Sequence, residues 1–213
     1  MKYKKDFDQF QKNYLQLYPE AASMRKLLPV VAGKKVLDIG CGSGLDLEFI
    51  KSQQGAILSG IDASPELIDI VKQKFSNADI RLGDFNYLPW GSNEFDVVWS
   101  KYALQHATDV MVPLQEIYRV IKTGGTVLLQ VTHPMRTAGM LQSKNYFESG
   151  VTINYPTVDK KIITEPHHTL TEWVNAIIQA GFTIEKVEEI VNRPIHEYKG
   201  PVSPSAIIFI LKK

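Results

Sequence analysis

Short apolar runs alternating with amphipathic or glycine-rich stretches set the strongest limit on what this chain can fold into. Lys35 to Ile39 (KVLDI) reads as a buried strand that ends in glycines, and Leu45 to Gln53 reads as a helix. Ala56 to Ile61 is a second strand. Ser64 and Pro65 open the next helix, which runs to about Phe75, because serine favours the N-cap and proline the first helical position. Asp79 to Leu82 and Phe95 to Ser100 are the third and fourth strands. From Asp109 to Lys122 the residues Val110, Leu114, Ile117 and Ile121 recur at helical spacing, and Gly124-Gly125 is expected to cap that helix. Thr126 to Thr132 is a fifth strand. Thr169-x-x-Glu172 is a capping box ahead of Trp173, Val174, Ile177 and Ile178, with Gly181 as the stop. Phe182 to Ile190 and Ser205 to Leu211 supply two final strands.

This order predicts βαβ units and a doubly wound, Rossmann-like α/β domain, with a mostly parallel sheet covered on both faces. The stretch Val191 to Pro204 carries no crossover helix, so the last strand is expected to run antiparallel. A length of 213 residues fits one domain, residues 1–213. Residues 1–33 read as an N-terminal helical segment whose Tyr3, Phe7, Tyr14 and Tyr18 pack on the sheet. Residues 134–168 break the rhythm. A stretch of that length between elements is usually a functional lid or disordered, and Met135, Met140, Tyr146, Phe147 and Tyr155 favour an ordered substrate cap after the fifth strand.

Lys plus Arg is 24 and Asp plus Glu is 23, a net charge of +1, which offers no electrostatic case for a nucleic-acid partner. No apolar run is long enough to span a bilayer, and Met1 to Asp6 leads into polar sequence without a secretory h-region. The single cysteine, Cys41, has no internal partner, so a reducing, cytoplasmic location is expected.

The chemistry concentrates at the carboxyl ends of the predicted strands, where open α/β sheets bind ligands. Asp38-Ile39-Gly40-Cys41-Gly42-Ser43-Gly44 turns a strand into a helix with glycines spaced G-x-G-x-G. The dinucleotide fingerprint G-x-G-x-x-G needs glycine where Leu45 stands, and Asp38 is awkward beside a pyrophosphate but suits a cationic ligand. Asp62, with Ala63 beside it, ends the second strand and is placed to accept both hydroxyls of a ribose. Gly83-Asp84-Phe85 follows the third strand and offers a carboxylate for an exocyclic amine and a ring for a purine face.

These motifs together resemble the class I S-adenosylmethionine-dependent methyltransferases, and most closely their small-molecule branch of the ubiquinone/menaquinone-biosynthesis type. VLDIGCGSG, GIDASPELI, ADIRLGDFNYLPW, FDVVWSKYALQHATD and EIYRVIKTGGTVLLQV follow in the family's order from Lys35 to about Val131. The resemblance is weaker from His133 to Lys213. It implies a seven-stranded sheet and S-adenosyl-L-methionine as cofactor. It places Asp38, Gly40, Cys41, Gly42 and Gly44 against the methionine part, Asp62 and Ala63 at the ribose, and Gly83, Asp84 and Phe85 at the adenine. Ser100, Lys101 and Tyr102 then line the donor pocket.

Methyl transfer from a sulfonium mainly needs orientation of the acceptor and exclusion of water, and a base helps when the acceptor is a hydroxyl or an activated carbon. His106 and His133 are the candidate bases, and Tyr102, His106, His133, Tyr146 and His167 the candidate acceptor pocket. His167-His168 lack a carboxylate at ligand spacing, so no metal site is expected. The expected function is methyl transfer to a small molecule at O, N or C by a monomer or homodimer. The alternatives are an NAD(P)-dependent oxidoreductase, disfavoured by Leu45, and a non-catalytic S-adenosylmethionine-binding module. An RNA methyltransferase is less favoured, because Ser100-Lys101-Tyr102-Ala103 stands where Asn/Asp-Pro-Pro-Tyr would serve that chemistry.

Overall fold

The computed structural model describes residues 19–156, 162–191 and 203–213. Tyr3, Phe7, Tyr14 and Tyr18 lie outside the described residues, as does the side chain of Tyr155. A 3-10 helix, Pro19–Leu27, precedes the sheet. The elements that follow are β1 (Lys35–Ile39), α1 (Leu45–Ser52), β2 (Ile57–Asp62), α2 (Pro65–Lys74), β3 (Asp79–Leu82) and β4 (Phe95–Lys101). A 3-10 turn, Leu104–His106, leads to α3 (Met111–Val120), β5 (Ile121–Thr132), α4 (Pro134–Ala138), β6 (Thr152–Pro156) and β7 (Ile162–Pro166). The chain ends with α5 (Leu170–Gln179), β8 (Thr183–Ile190) and β9 (Ala206–Lys212).

Seven strands form one sheet in the order β3-β2-β1-β4-β5-β9-β8. The pairs among β1 to β5 are parallel, and β9 inserts between β5 and β8 antiparallel to both. The expected antiparallel final strand is therefore present. The central strands are buried on both faces, as helices on each side require. One core joins Leu37, Ile39, Val98 and Leu129 to Leu114 and Ile117 of α3 and to Trp173 and Ile177 of α5. The other joins Val36, Val97, Trp99 and Leu128 to Met24 of the 3-10 helix, Leu47 and Ile50 of α1, and Ile68 and Val71 of α2.

Local signals held where a cap fixes a boundary. Ser64 accepts the Leu67 N–H at 3.3 Å ahead of Pro65. Thr169 and Glu172 form the reciprocal capping box of α5. The glycine pair after α3 is a correction: the helix stops at Val120, and Gly124 and Gly125 lie within β5. They serve the irregular entry of that strand, where pairing with β4 shifts register between Phe95 and Val97 and the Gly124 N–H donates to the Lys213 carbonyl.

Residues 134–168 contain α4 and a separate antiparallel hairpin, β6–β7. The hairpin is docked on the 3-10 turn Leu104–His106 that follows β4. Gln105 Nε2 donates to Glu165 Oε2 at 3.0 Å, and His106 Nδ1 lies 3.2 Å from the Thr164 carbonyl.

Candidate functional site

The site is built at the carboxyl ends of β1, β2 and β4. β1 turns at Gly40, whose N–H donates to the Ile61 carbonyl at 2.8 Å, and the turn closes at Gly44, the N-cap of α1. Gly40 and Gly42 have φ of 75° and 54°, in the left-handed region that favours glycine. A Cβ on Gly40 would meet the Ala103 Cβ at 2.4 Å, so this glycine is required by packing. A Cβ on Gly42 would meet nothing within 4 Å, so its backbone borders open space that a ligand can approach.

Asp62 ties the two first strands together at this point. Its Oδ2 accepts the Gly42 N–H at 2.9 Å and its Oδ1 accepts the Ser64 N–H at 2.9 Å. Each carboxylate oxygen has a second lone pair, so the group is oriented and still able to accept from a diol.

Asp38 is 2% exposed. Burial raises its carboxyl well above the usual range, the nearby Asp46 and Asp62 add to this, and Lys101 partly opposes it. Such a carboxyl favours its charged form only when a cation comes close. Asp46, in the first turn of α1, behaves in the opposite way. Burial pushes it up, but Lys101 and Arg25 outweigh that and hold it below the usual range. Arg25 of the 3-10 helix reaches Asp46 Oδ1 at 2.7 Å, and Lys101 Nζ lies 3.4 Å from Asp46 Oδ2.

Ser100 is buried and its hydroxyl donates to the Ile39 carbonyl at 3.2 Å. Tyr102, half-buried with φ of 55°, turns the chain away from β4. Asp84 is exposed and its Oδ1 accepts the Asn86 N–H at 2.7 Å, which makes it a turn residue with its second oxygen uncommitted to that turn. Phe85 packs on the first core. Cys41 is buried beside Asp38 and Asp62, and burial together with those charges pushes its thiol up, away from any nucleophilic role.

Of the candidate acceptor residues, Tyr146 and His167 are in contact, with ring centroids 5.8 Å apart. His106 is exposed and faces the hairpin backbone. His133 caps α4: its Nδ1 accepts the Met135 N–H at 3.0 Å, so Nε2 carries the proton and donates to Glu189 Oε1 at 2.7 Å. Burial lowers its pKa, with Glu189 pulling partly back. Both ring nitrogens are committed, which gives His133 a structural task in place of the base expected at that position. His167 is buried between Thr137 Oγ1 at 2.6 Å and the Tyr146 carbonyl at 2.8 Å, and the Tyr146 hydroxyl accepts the Leu170 N–H. These two residues fasten the insertion to α5. Among the described residues no group of three or more His, Cys, Asp or Glu is placed to hold a metal.

Residues missed by sequence reasoning are Arg25, Asp46, Gln105, Glu165 and Gln130. Glu165 is fully buried with Gln105 as a donor. Gln130 was legible in principle: it is the one polar side chain inside the apolar run VLLQV. Arg25 was not, since its partner lies 21 positions away.

Residues 37–129 match the family described as a methyltransferase domain. A demethylmenaquinone methyltransferase of Oceanobacillus iheyensis is 32% identical over 130 residues, 57% of this chain and 54% of that protein. A malonyl-[acyl-carrier protein] O-methyltransferase of Erwinia billingiae is 37% identical over 97 residues, 45% of this chain and 38% of that one. The chain thus spans about half the length, or less, of these curated relatives. An S-adenosylmethionine-dependent methyltransferase structure from Mesorhizobium loti superposes with a TM-score of 0.77 at 20% identity, covering 91% of this chain and 98% of that one. Residues 37–129 are thus similar to a methyltransferase domain, and the fold is similar to that of the Mesorhizobium loti structure. The chain's sheet order, with β9 reversed between β5 and β8, is the fold shared with that structure. The residues present are compatible with S-adenosylmethionine: open space at Gly42, an oriented Asp62 carboxylate and a buried Asp38 carboxyl are acceptors of the kind a ribose diol and an ammonium need.

Proposed function

We propose that the chain is an S-adenosylmethionine-dependent methyltransferase acting on a small-molecule acceptor at O, N or C. The observation that carries this reading is Asp62, held by Gly42 and Ser64 at the edge of the glycine cradle with Asp38 buried behind it. When bound, S-adenosylmethionine supplies a methyl group on a sulfonium, which needs no further activation. Asp62 would hold the ribose hydroxyls, Asp38 the ammonium, and the Gly42 backbone would permit close approach. Gly83, Asp84 and Phe85 would border the adenine. Asp46, paired with Lys101, would offset the charge of that ammonium beside a cationic donor. The chain's own work is then orientation and exclusion of water.

The relatives named above act on demethylmenaquinone and on malonyl-[acyl-carrier protein], so the acceptor is proposed only as a small molecule or a small group on a carrier. Among the described residues no helix is long and apolar enough to cross a membrane. A cytoplasmic location, a monomer or homodimer, and residues 134–168 as a substrate cap complete the proposal. The NAD(P)-dependent alternative is not favoured, because Leu45 is a buried residue of α1 where the dinucleotide fingerprint needs glycine.

Isothermal titration of S-adenosylhomocysteine tests the donor site. Wild type is expected to bind at about micromolar affinity, and Asp62→Ala to bind about 100-fold more weakly, the loss of two charge-assisted hydrogen bonds. Unchanged binding by the variant, or binding of NAD in its place, would sink the reading.

A further inference from the structure

Buried polar groups are almost always hydrogen-bonded, so the exceptions need a reason. Gln130 and Trp99 are each 0% exposed. Gln130 Nε2, Gln130 Oε1 and Trp99 Nε1 are fully buried and have no hydrogen-bond partner among the described residues. These three atoms are not scattered. Trp99 of β4 lies in register with Leu128 of β5 and with Asp38 of β1. Gln130 is two residues beyond Leu128, so it projects from the same face. It lies in register with Lys101, whose ammonium reaches Asp46 on that face. Gln130 is two strands across from Asp38 and one residue pair nearer the strand ends, a separation of roughly 12 Å from strand spacing and rise. That places the amide on the same face of the sheet as Asp38, nearer the carboxyl ends of the strands.

We propose that the Gln130 carboxamide and the Trp99 indole N–H form the polar end of the acceptor subsite, and that the acceptor presents there a neutral group with a carbonyl oxygen beside a hydroxyl or N–H. The proposal rests on the small-molecule methyltransferase reading for its role, though not for its geometry. The ligand class follows from the inventory of the site. Trp99 Nε1 and Gln130 Nε2 only donate, and Gln130 Oε1 only accepts. A carboxylate has no proton for Oε1, and an ammonium has no lone pair for the two N–H groups. A carbonyl flanked by O–H or N–H satisfies all three. The group reaches these atoms by parting the cover over β5, to which the 3-10 helix Pro19–Leu27 contributes.

The test uses salicylamide, which is neutral and carries a carbonyl, a hydroxyl and N–H groups, and salicylate as its charged counterpart. Each is titrated into the protein saturated with S-adenosylhomocysteine, for wild type and Gln130→Leu, and both proteins are melted without ligand. Wild type is expected to bind salicylamide at about millimolar affinity or tighter, and salicylate about tenfold more weakly. Gln130→Leu is expected to lose about tenfold in salicylamide binding and to leave S-adenosylhomocysteine binding unchanged. It should also melt about 2–4 °C higher, because the apolar side chain of similar size removes an unpaired amide. Equal salicylamide binding by the variant, no salicylamide binding by wild type, or a lower melting temperature of the variant would each overturn the proposal. If S-adenosylhomocysteine itself fails to bind, the methyltransferase reading fails, and salicylamide titrated into the free protein still decides the claim about Gln130.

Discussion

Asp38→Asn is expected to melt higher than wild type at mildly alkaline pH and to bind S-adenosylhomocysteine about 100-fold more weakly. The two effects have one cause. Asp38 is buried, and burial with Asp46 and Asp62 nearby raises its carboxyl well above the usual range. A carboxyl with a raised pKa binds its proton more tightly in the folded protein than in the unfolded chain. Its contribution to stability is complete below the ordinary carboxylate pKa and is lost as the pH rises through the raised value. Asparagine has the same shape and no charge, so the variant does not suffer that loss. The difference in melting temperature between variant and wild type should be near zero in acid and grow as the pH rises. At its plateau it should be about 2–6 °C, the range for relieving one poorly compensated buried group. Donor binding reverses the preference, because the ammonium of the ligand stabilises the carboxylate. Asp46→Asn separates this account from a general effect of removing acid. Asp46 is already held low by Lys101 and Arg25, so its removal leaves two cations without their shared partner and should lower the melting temperature. Thermal melts across pH with titrations of S-adenosylhomocysteine decide it. A melting temperature for Asp38→Asn below wild type at every pH would refute the argument.

The contrast between Asp38 and Asp46 also marks the limit of what the sequence reveals. The alternation of apolar runs made the mostly parallel sheet legible, since helical and strand periods differ. The glycine turn was legible because local geometry leaves few alternatives, and the reversed last strand because the connection before it lacks a crossover helix. What a carboxylate does within the site depends on neighbours that are distant in sequence. Asp46 carries no motif, and its low pKa comes from Arg25 and from Lys101, 55 positions further on (101 minus 46). His133 shows the converse. Its place at the end of β5 suggested a base at the rim, but the backbone of α4 needed a cap and the ring took that task, with Glu189 fixing the tautomer. The glycine pair at 124–125 was misread because a glycine after a helical run signals a C-cap, whereas here β4–β5 pairing across the register shift claims those residues. Tertiary pairing overrides a local signal when the backbone donors and acceptors are needed for the sheet.

Gly40→Ala and Gly42→Ala should fail for different reasons, and the pair shows which glycine serves the fold and which the ligand. Both residues have positive φ, so a side chain at either costs about 1–2 kcal/mol in backbone strain. At Gly40 the new methyl would also sit 2.4 Å from the Ala103 Cβ. Neither partner can yield easily, because the Gly40 N–H is bonded to the Ile61 carbonyl and Ala103 follows Tyr102, itself at positive φ. The overlap brings the expected cost to about 3 kcal/mol, a fall in melting temperature of about 6–12 °C. At Gly42 nothing lies within 4 Å of the added methyl, so stability should fall by only the backbone term, about 2–4 °C for each kcal/mol. The methyl there projects into the space that the donor must approach, so S-adenosylhomocysteine binding should fall about tenfold or more while the fold survives. Differential scanning calorimetry and titration calorimetry on the two variants read these quantities separately. If Gly42→Ala proved the less stable of the two, or kept full affinity, the division of labour within the loop would be wrong. The cradle at Gly42 would then have to be reassigned from ligand to fold.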